Sequence, residues 1–217
     1  MNTDQAKPFW RRILPYFVIG AVSGSATAVF FPDLMDEGIL PNVSVGVIAG
    51  LGTGALYLFF ALILGVGLVS PNLGQKLSGA QTADDLRDNR AMISPAAVAM
   101  AAFGAALIIL ASSGSQGSID PILGATLTVV LLVVGGVALR ASMAASDELY
   151  RTSNNEAASV GYYIAVIVLG GWGILAHTGF LATPSGLDVL IAFYWIALTA
   201  SVVVSYRRGM LVEAASE

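Results

Sequence analysis

The side chains best grouped for chemistry stand in two short polar stretches where charge concentrates. The first reads Thr82-Ala83-Asp84-Asp85-Leu86-Arg87-Asp88-Asn89-Arg90, and the second Ser146-Asp147-Glu148-Leu149-Tyr150-Arg151. Asp84, Asp85 and Asp88 are hard oxygen donors of the kind magnesium takes when it binds a few carboxylates and fills its shell with water or phosphate. The same residues also read as a solvated helix laced with ion pairs. Asp84 meets Arg87 at i,i+3, Thr82 with Asp85 looks like a capping pair, and Asp147 and Glu148 can both reach Arg151. Other chemistries are closed off. The chain has no cysteine, so thiolates and disulfides are excluded, and its single histidine, His177, cannot form a two-imidazole site within one chain. The net charge of −4 and the lack of a basic patch argue against a nucleic-acid partner.

Written as D-D-x-x-D, the first stretch is similar to the aspartate-rich motif of prenyltransferases, whose carboxylates hold magnesium against a substrate diphosphate. Membrane members of that group resemble this chain further in having two acidic cytoplasmic links that face each other. The resemblance implies that Asp84, Asp85 and Asp88 bind metal, with Asp147 and Glu148 as a second cluster. Three features depart from the pattern. Arg87 sits inside the first motif, the second stretch does not match, and membrane prenyltransferases have more helices than this chain.

The elements that must position these residues are transmembrane. Hydrophobic residues make up 56% of the 217 and charged residues 11%, against roughly 25% charged in soluble domains. Crossing the hydrocarbon core takes roughly 20 apolar residues. Six stretches qualify or nearly so, at 13–31, 43–69, 95–111, 122–139, 158–176 and 187–206. None alternates like a barrel strand. The expected fold is therefore all-α, a single polytopic domain of about six spans. All ten Lys and Arg fall in the N-terminal segment, the 70–94 link, the 140–157 link and the C-terminal segment. The alternate segments, 32–42, 112–121 and 177–186, hold none. Positive residues resist translocation, which puts both termini in the cytoplasm. Ser25-Ala26-Thr27-Ala28 resembles a signal-cleavage stretch, but the apolar run continues through Phe30 and Phe31, as in a retained helix.

Sequence also suggests how the ends and faces are built. Ser70-Pro71 should end the second span, while Ser94-Pro95 and Asp120-Pro121 should open the third and fourth. Asn154 and Asn155 are candidate caps for the fifth. No Gly or Pro separates Val137 from Thr152, so the fourth helix is expected to run several turns beyond the membrane. Small residues at four-residue spacing let helix backbones touch. Candidate packing faces are Gly20 and Gly24, then Gly46, Gly50 and Gly54, then Ala97, Ala101 and Ala105. Gly135-Gly136 and Gly170-Gly171-x-Gly173 are sites where a helix could bend.

No Asp, Glu, Lys or Arg lies mid-span, where pumps and proton-coupled carriers place an ionisable group. Thr53, Thr126, Thr128 and Ser201 are the hydroxyls left for ion binding, and Trp172, Tyr194 and Trp195 are aromatics that could line a cavity. The leading expectation is a non-catalytic accessory, scaffold or sensor subunit without a cofactor in a bacterial inner membrane. Arg87, Arg90 and Arg151 would contact a membrane or cytoplasmic partner or a second copy. One alternative is a channel or carrier for a small neutral or hydrophobic solute. The other is a magnesium-dependent enzyme acting on prenyl diphosphates.

Overall fold

The computed structural model describes residues 44–78, 83–113 and 117–209. These are all-helical, and five of the helices are long and apolar enough to cross a membrane. The sixth expected span, 13–31, with Gly20 and Gly24, lies outside the described residues. In order, the elements are α1 (Val45–Val69), α2 (Pro71–Ser78), α3 (Ala83–Asp88), α4 (Arg90–Ala111), α5 (Pro121–Ala145), α6 (Glu148–His177) and α7 (Gly186–Arg207). The chain divides into two compact units, Gly46–Val204 and the two terminal segments, Met1–Val45 with Ser205–Glu217. Of the terminal unit the described part is the first helical residue of α1, the last turn of α7 and Gly209, which holds a positive φ of 71°.

In hydrocarbon, which offers no partner to backbone N–H and C=O groups, the helix is the conformation that satisfies them internally. That constraint would override the low helix propensity of the valines at 129, 130, 133, 134 and 137 in α5. At 25 residues, α1 and α5 would each run about 37 Å, enough for the roughly 30 Å hydrocarbon layer. Their outward valines, leucines and isoleucines are exposed, with Ile122 at 79% and Ile167 of α6 at 72%. Such a surface suits lipid rather than water.

Several ends match the sequence reading. Val69 ends α1, with Ser70 and Pro71 following, although Pro71 then opens the short α2. Asp120 caps α5, its carboxylate accepting from the Ile122 and Leu123 amides at 3.0 and 3.1 Å, with Pro121 at the first position. Two further ends use motifs the sequence reading missed. Ser185 and Asp188 form a reciprocal box before α7: the Ser185 amide donates to Asp188 Oδ2 at 2.9 Å, and the Asp188 amide to Ser185 Oγ at 3.2 Å. α6 stops at Gly179, whose φ of 80° lets the Phe180 amide turn back to the Leu175 carbonyl at 2.9 Å.

Three expectations need correction. The span expected to open at Pro95 begins at Arg90, with Pro95 inside the helix. Pro95 removes the donor to the Ala91 carbonyl. The extra turn is held from outside, because Ser142 Oγ of α5 donates to the Met92 carbonyl at 2.8 Å. Next, the helix does not run unbroken from Val137 through Thr152, because α5 ends at Ala145. Ser146 and Asp147 are extended there, and the Ser146 hydroxyl donates to the Ser142 carbonyl at 2.8 Å. Side chains that bond the local backbone break a helix without Gly or Pro. Asp147 then caps α6, accepting from the Tyr150 amide at 2.8 Å, so Asn154 and Asn155 lie within the helix rather than at its start.

Within the larger unit, α1, α4 and α7 meet around Tyr57, Leu107, Ile191 and Tyr194, with Met100, Phe103, Leu187 and Leu190 packed against them. The contact of α1 with α4 is made by glycine. A Cβ on Gly104 would stand 2.7 Å from the Gly54 carbonyl oxygen, and one on Gly54 would stand 2.8 Å from the Gly104 oxygen. Gly50 faces Ala111 and Leu187. On the other side of α4, the Phe103 ring fills the space beside Gly135 of α5. Across α7, Gly161 of α6 faces Ala200 and Ile196.

Candidate functional site at the charged end

Two regions could hold function, the middle of the bundle and the end where α1, α4, α5 and α6 carry their charged links. The middle is occupied by its own side chains. Tyr57 donates its hydroxyl to the Tyr194 carbonyl at 3.0 Å, and Tyr194 donates to the Phe103 carbonyl at 3.0 Å. Their rings tilt against each other with centroids 4.8 Å apart. Trp195 Nε1 donates to the Thr53 hydroxyl at 3.1 Å. Thr126 and Ser201 bond back to carbonyls four residues earlier, and Thr128 reaches the Ala106 carbonyl at 3.5 Å. Each hydroxyl singled out for ion binding thus has a partner inside the bundle. Trp172 holds the loop after α6 by donating to the Ala182 carbonyl at 3.1 Å. Among the described residues, one buried polar side-chain atom is unmatched: Ser153 Oγ of α6 has no hydrogen-bond partner.

The predicted packing residues divide. Gly50 and Gly54 are buried at helix contacts and Gly46 is half-buried. On α4, Ala97, Ala101 and Ala105 are half-buried, whereas Ala99, Ala102, Ala106 and Ala111 are fully buried together with Gly104. Of the candidate bend sites, Gly135 takes the Phe103 ring, while Gly136, Gly170, Gly171 and Gly173 face open space. α5 and α6 run unbroken through them.

At the charged end, α2 folds back on α1 because Gly67 and Gly74 have no side chains to keep the two backbones apart; a Cβ on Gly74 would collide with Gly67 Cα. Leu86 of α3 packs beside this pair. The result is a cavity of about 340 Å³, lined by Gly67, Leu68, Val69, Pro71, Leu86, Arg87 and Arg90. It lies where the apolar part of α1 stops and that of α4 begins. Arg87 pairs with Asp84 at 3.0 Å, as the i,i+3 spacing predicts, with both side chains well exposed. Exposed ion pairs of this kind add little stability, about 0–1 kcal/mol.

In the second link, Arg151 donates to the Ser146 carbonyl at 3.0 Å instead of pairing with Asp147 or Glu148. Asp147 is engaged as a cap and Glu148 is exposed in the first turn of α6, where its charge suits the helix dipole. Asp88 is exposed, while Thr82 and the side chain of Asp85 lie outside the described residues. Among the described residues, no three carboxylates or histidines come together to hold a metal ion. Arg140 is exposed near the end of α5, and His177 is exposed in the last turn of α6 at the opposite end.

Fold and site together define, over the described residues, an all-helical protein built of helices that could span a membrane, with Arg87, Arg90, Arg140 and Arg151 at one end of the larger unit. Comparison with protein-family models, with curated proteins and with solved structures finds no match to this chain.

Proposed function

We propose that the chain is a non-catalytic accessory, scaffold or sensor subunit of a bacterial inner-membrane assembly, with both termini in the cytoplasm and two charged links as its working surface. The observation that carries this reading is the contrast between a self-satisfied middle and exposed charge at one end. The mid-bundle hydroxyls are spent on helix contacts, and Arg87, Arg90, Arg151, Asp84, Asp88 and Glu148 are exposed. A surface of mixed, exposed charge is suited to reversible contact with a protein of complementary pattern, since it contributes more to orientation and rate than to affinity.

The test is crosslinking and mass spectrometry from native membranes. Crosslinks should join residues 70–94 or 140–157 to a partner or a second copy, and charge reversal at Arg87, Arg90 and Arg151 together should remove them. Recovery of the chain alone, or crosslinks indifferent to the reversal, would contradict the proposal.

A further inference from the structure

We propose that the cavity between α1, α2 and α3 binds a phosphate group, either esterified on a lipid or free, through the guanidinium groups of Arg87 and Arg90. At about 340 Å³ the cavity falls at the small end of the roughly 300–1,000 Å³ range of ligand sites. Its lining has two chemistries, the apolar Gly67, Leu68, Val69, Pro71 and Leu86 and the basic Arg87 and Arg90, with no carboxylate among the described residues that line it. Arginine's planar fork matches phosphate oxygens and binds them bidentately, which lysine cannot do. The cavity stands at the end of an apolar helix long enough to cross a membrane, and the end of such a span is where lipid phosphates would meet it. Val69 is 89% exposed beside it, so a lipid's acyl chains would have an apolar track along α1 while its phosphate met the arginines.

The surrounding charge sets the character of the site. The 83–90 segment carries Asp84, Asp85 and Asp88 against Arg87 and Arg90, so the link as a whole does not gather anions from a distance. Binding must come from close contact inside the cavity. Asp84 already engages Arg87 and competes with the ligand for it. Neutralising Asp84 should therefore tighten phosphate binding, whereas it would weaken any site that used the Asp84 carboxylate for metal. The inference goes beyond the partner reading and rests on none of it: phosphate binding can fail with the crosslinks intact, and the crosslinks can fail with phosphate binding intact.

The experiment uses the full chain in a neutral detergent and measures binding of phosphatidic acid, diacylglycerol and inorganic phosphate by native mass spectrometry and thermal shift. Phosphatidic acid should bind and diacylglycerol, which lacks only the phosphate, should not. Arg87→Gln with Arg90→Gln should weaken phosphatidic acid by at least about tenfold, as loss of charge-assisted hydrogen bonds does. Arg140→Gln, a loss of positive charge elsewhere, should leave it unchanged. Asp84→Asn keeps both arginines and should tighten binding severalfold, which keeps the proposal testable should the double arginine variant fail to fold. Inorganic phosphate that displaces the lipid, and whose own stabilisation is lost with Arg87 and Arg90, would identify a soluble phosphate as the source. Lipid binding indifferent to inorganic phosphate would identify the headgroup. Equal binding of phosphatidic acid and diacylglycerol, parental affinity in the Arg87/Arg90 variant, equal loss in Arg140→Gln, or unchanged affinity in Asp84→Asn would overturn the proposal.

Discussion

Helices α4 and α6 are both apolar enough to cross a membrane, yet 33% of the apolar stretch of α4 is buried against its neighbours and none of that of α6. Both are rich in small residues. The difference lies in where those residues face. On α4, Gly104 meets the backbone of α1, and Ala99, Ala102, Ala106 and Ala111 are buried with it. On α6, Gly170, Gly171 and Gly173 meet none of the described residues, while Tyr162, Tyr163 and Ile167 are exposed at 66–72%. A small residue contributes to helix association only where a second backbone comes close enough to use the missing side chain.

The sharpest way to break this comparison is to place one bulky residue on each helix. Gly104→Leu should cost about 3 kcal/mol or more, or prevent folding, because a side chain there enters the Gly54 backbone. Gly171→Leu, facing open space, should leave the detergent melting midpoint within error of the parent. Equal melting of the two variants would dissolve the distinction. Gly50→Leu should resemble Gly104→Leu, since a Cβ added at Gly50 would stand 3.0 Å from that of Ala111.

A smaller effect separates polar from steric contributions. Tyr194→Phe keeps the ring against Tyr57 and Phe103 but removes the hydroxyl from the Phe103 carbonyl. Interhelical hydrogen bonds in membranes contribute about 0.6 kcal/mol on average, so denaturant unfolding should show a loss of about that size. A loss as large as that of Gly104→Leu would mean the tyrosine pair, not the glycine contact, dominates the core. Smallest of all, Ser153→Ala on α6 should be neutral or slightly stabilising, because the Ser153 hydroxyl is buried without a partner and its removal ends a desolvation cost. Marked destabilisation would reveal a contact that the hydroxyl makes in the membrane.

The sequence reads well where one local signal decides the outcome. Asp120-Pro121 caps α5, Ser70-Pro71 closes α1, and Asp84 pairs with Arg87, each through residues fewer than five positions apart. It reads poorly where a distant group intervenes. Pro95 fails to start α4 because the turn before it is fastened by Ser142, 50 residues away. The break at Ser146 and Asp147 was hidden because serine and aspartate are ordinary helix residues until their side chains bond the adjoining backbone. The capping box at Ser185 and Asp188 was available in the spacing and was missed. For the site, Arg87 and Arg90 were visible as candidate contacts. The cavity between them was not, because it depends on Gly67 and Gly74 bringing two helices together.

The central claim is that these helices cross a bilayer with the 70–94 and 140–157 links on its cytoplasmic side. The absence of cysteine makes the direct measurement clean: single variants Asn72→Cys, Thr152→Cys, Ser118→Cys and Thr183→Cys, treated in intact cells with a membrane-impermeant maleimide. The account predicts membrane-bound protein that labels at Ser118→Cys and Thr183→Cys from outside, and at Asn72→Cys and Thr152→Cys only after the membrane is opened. Labelling of all four from the same side, or recovery of the chain in the soluble fraction, would contradict it.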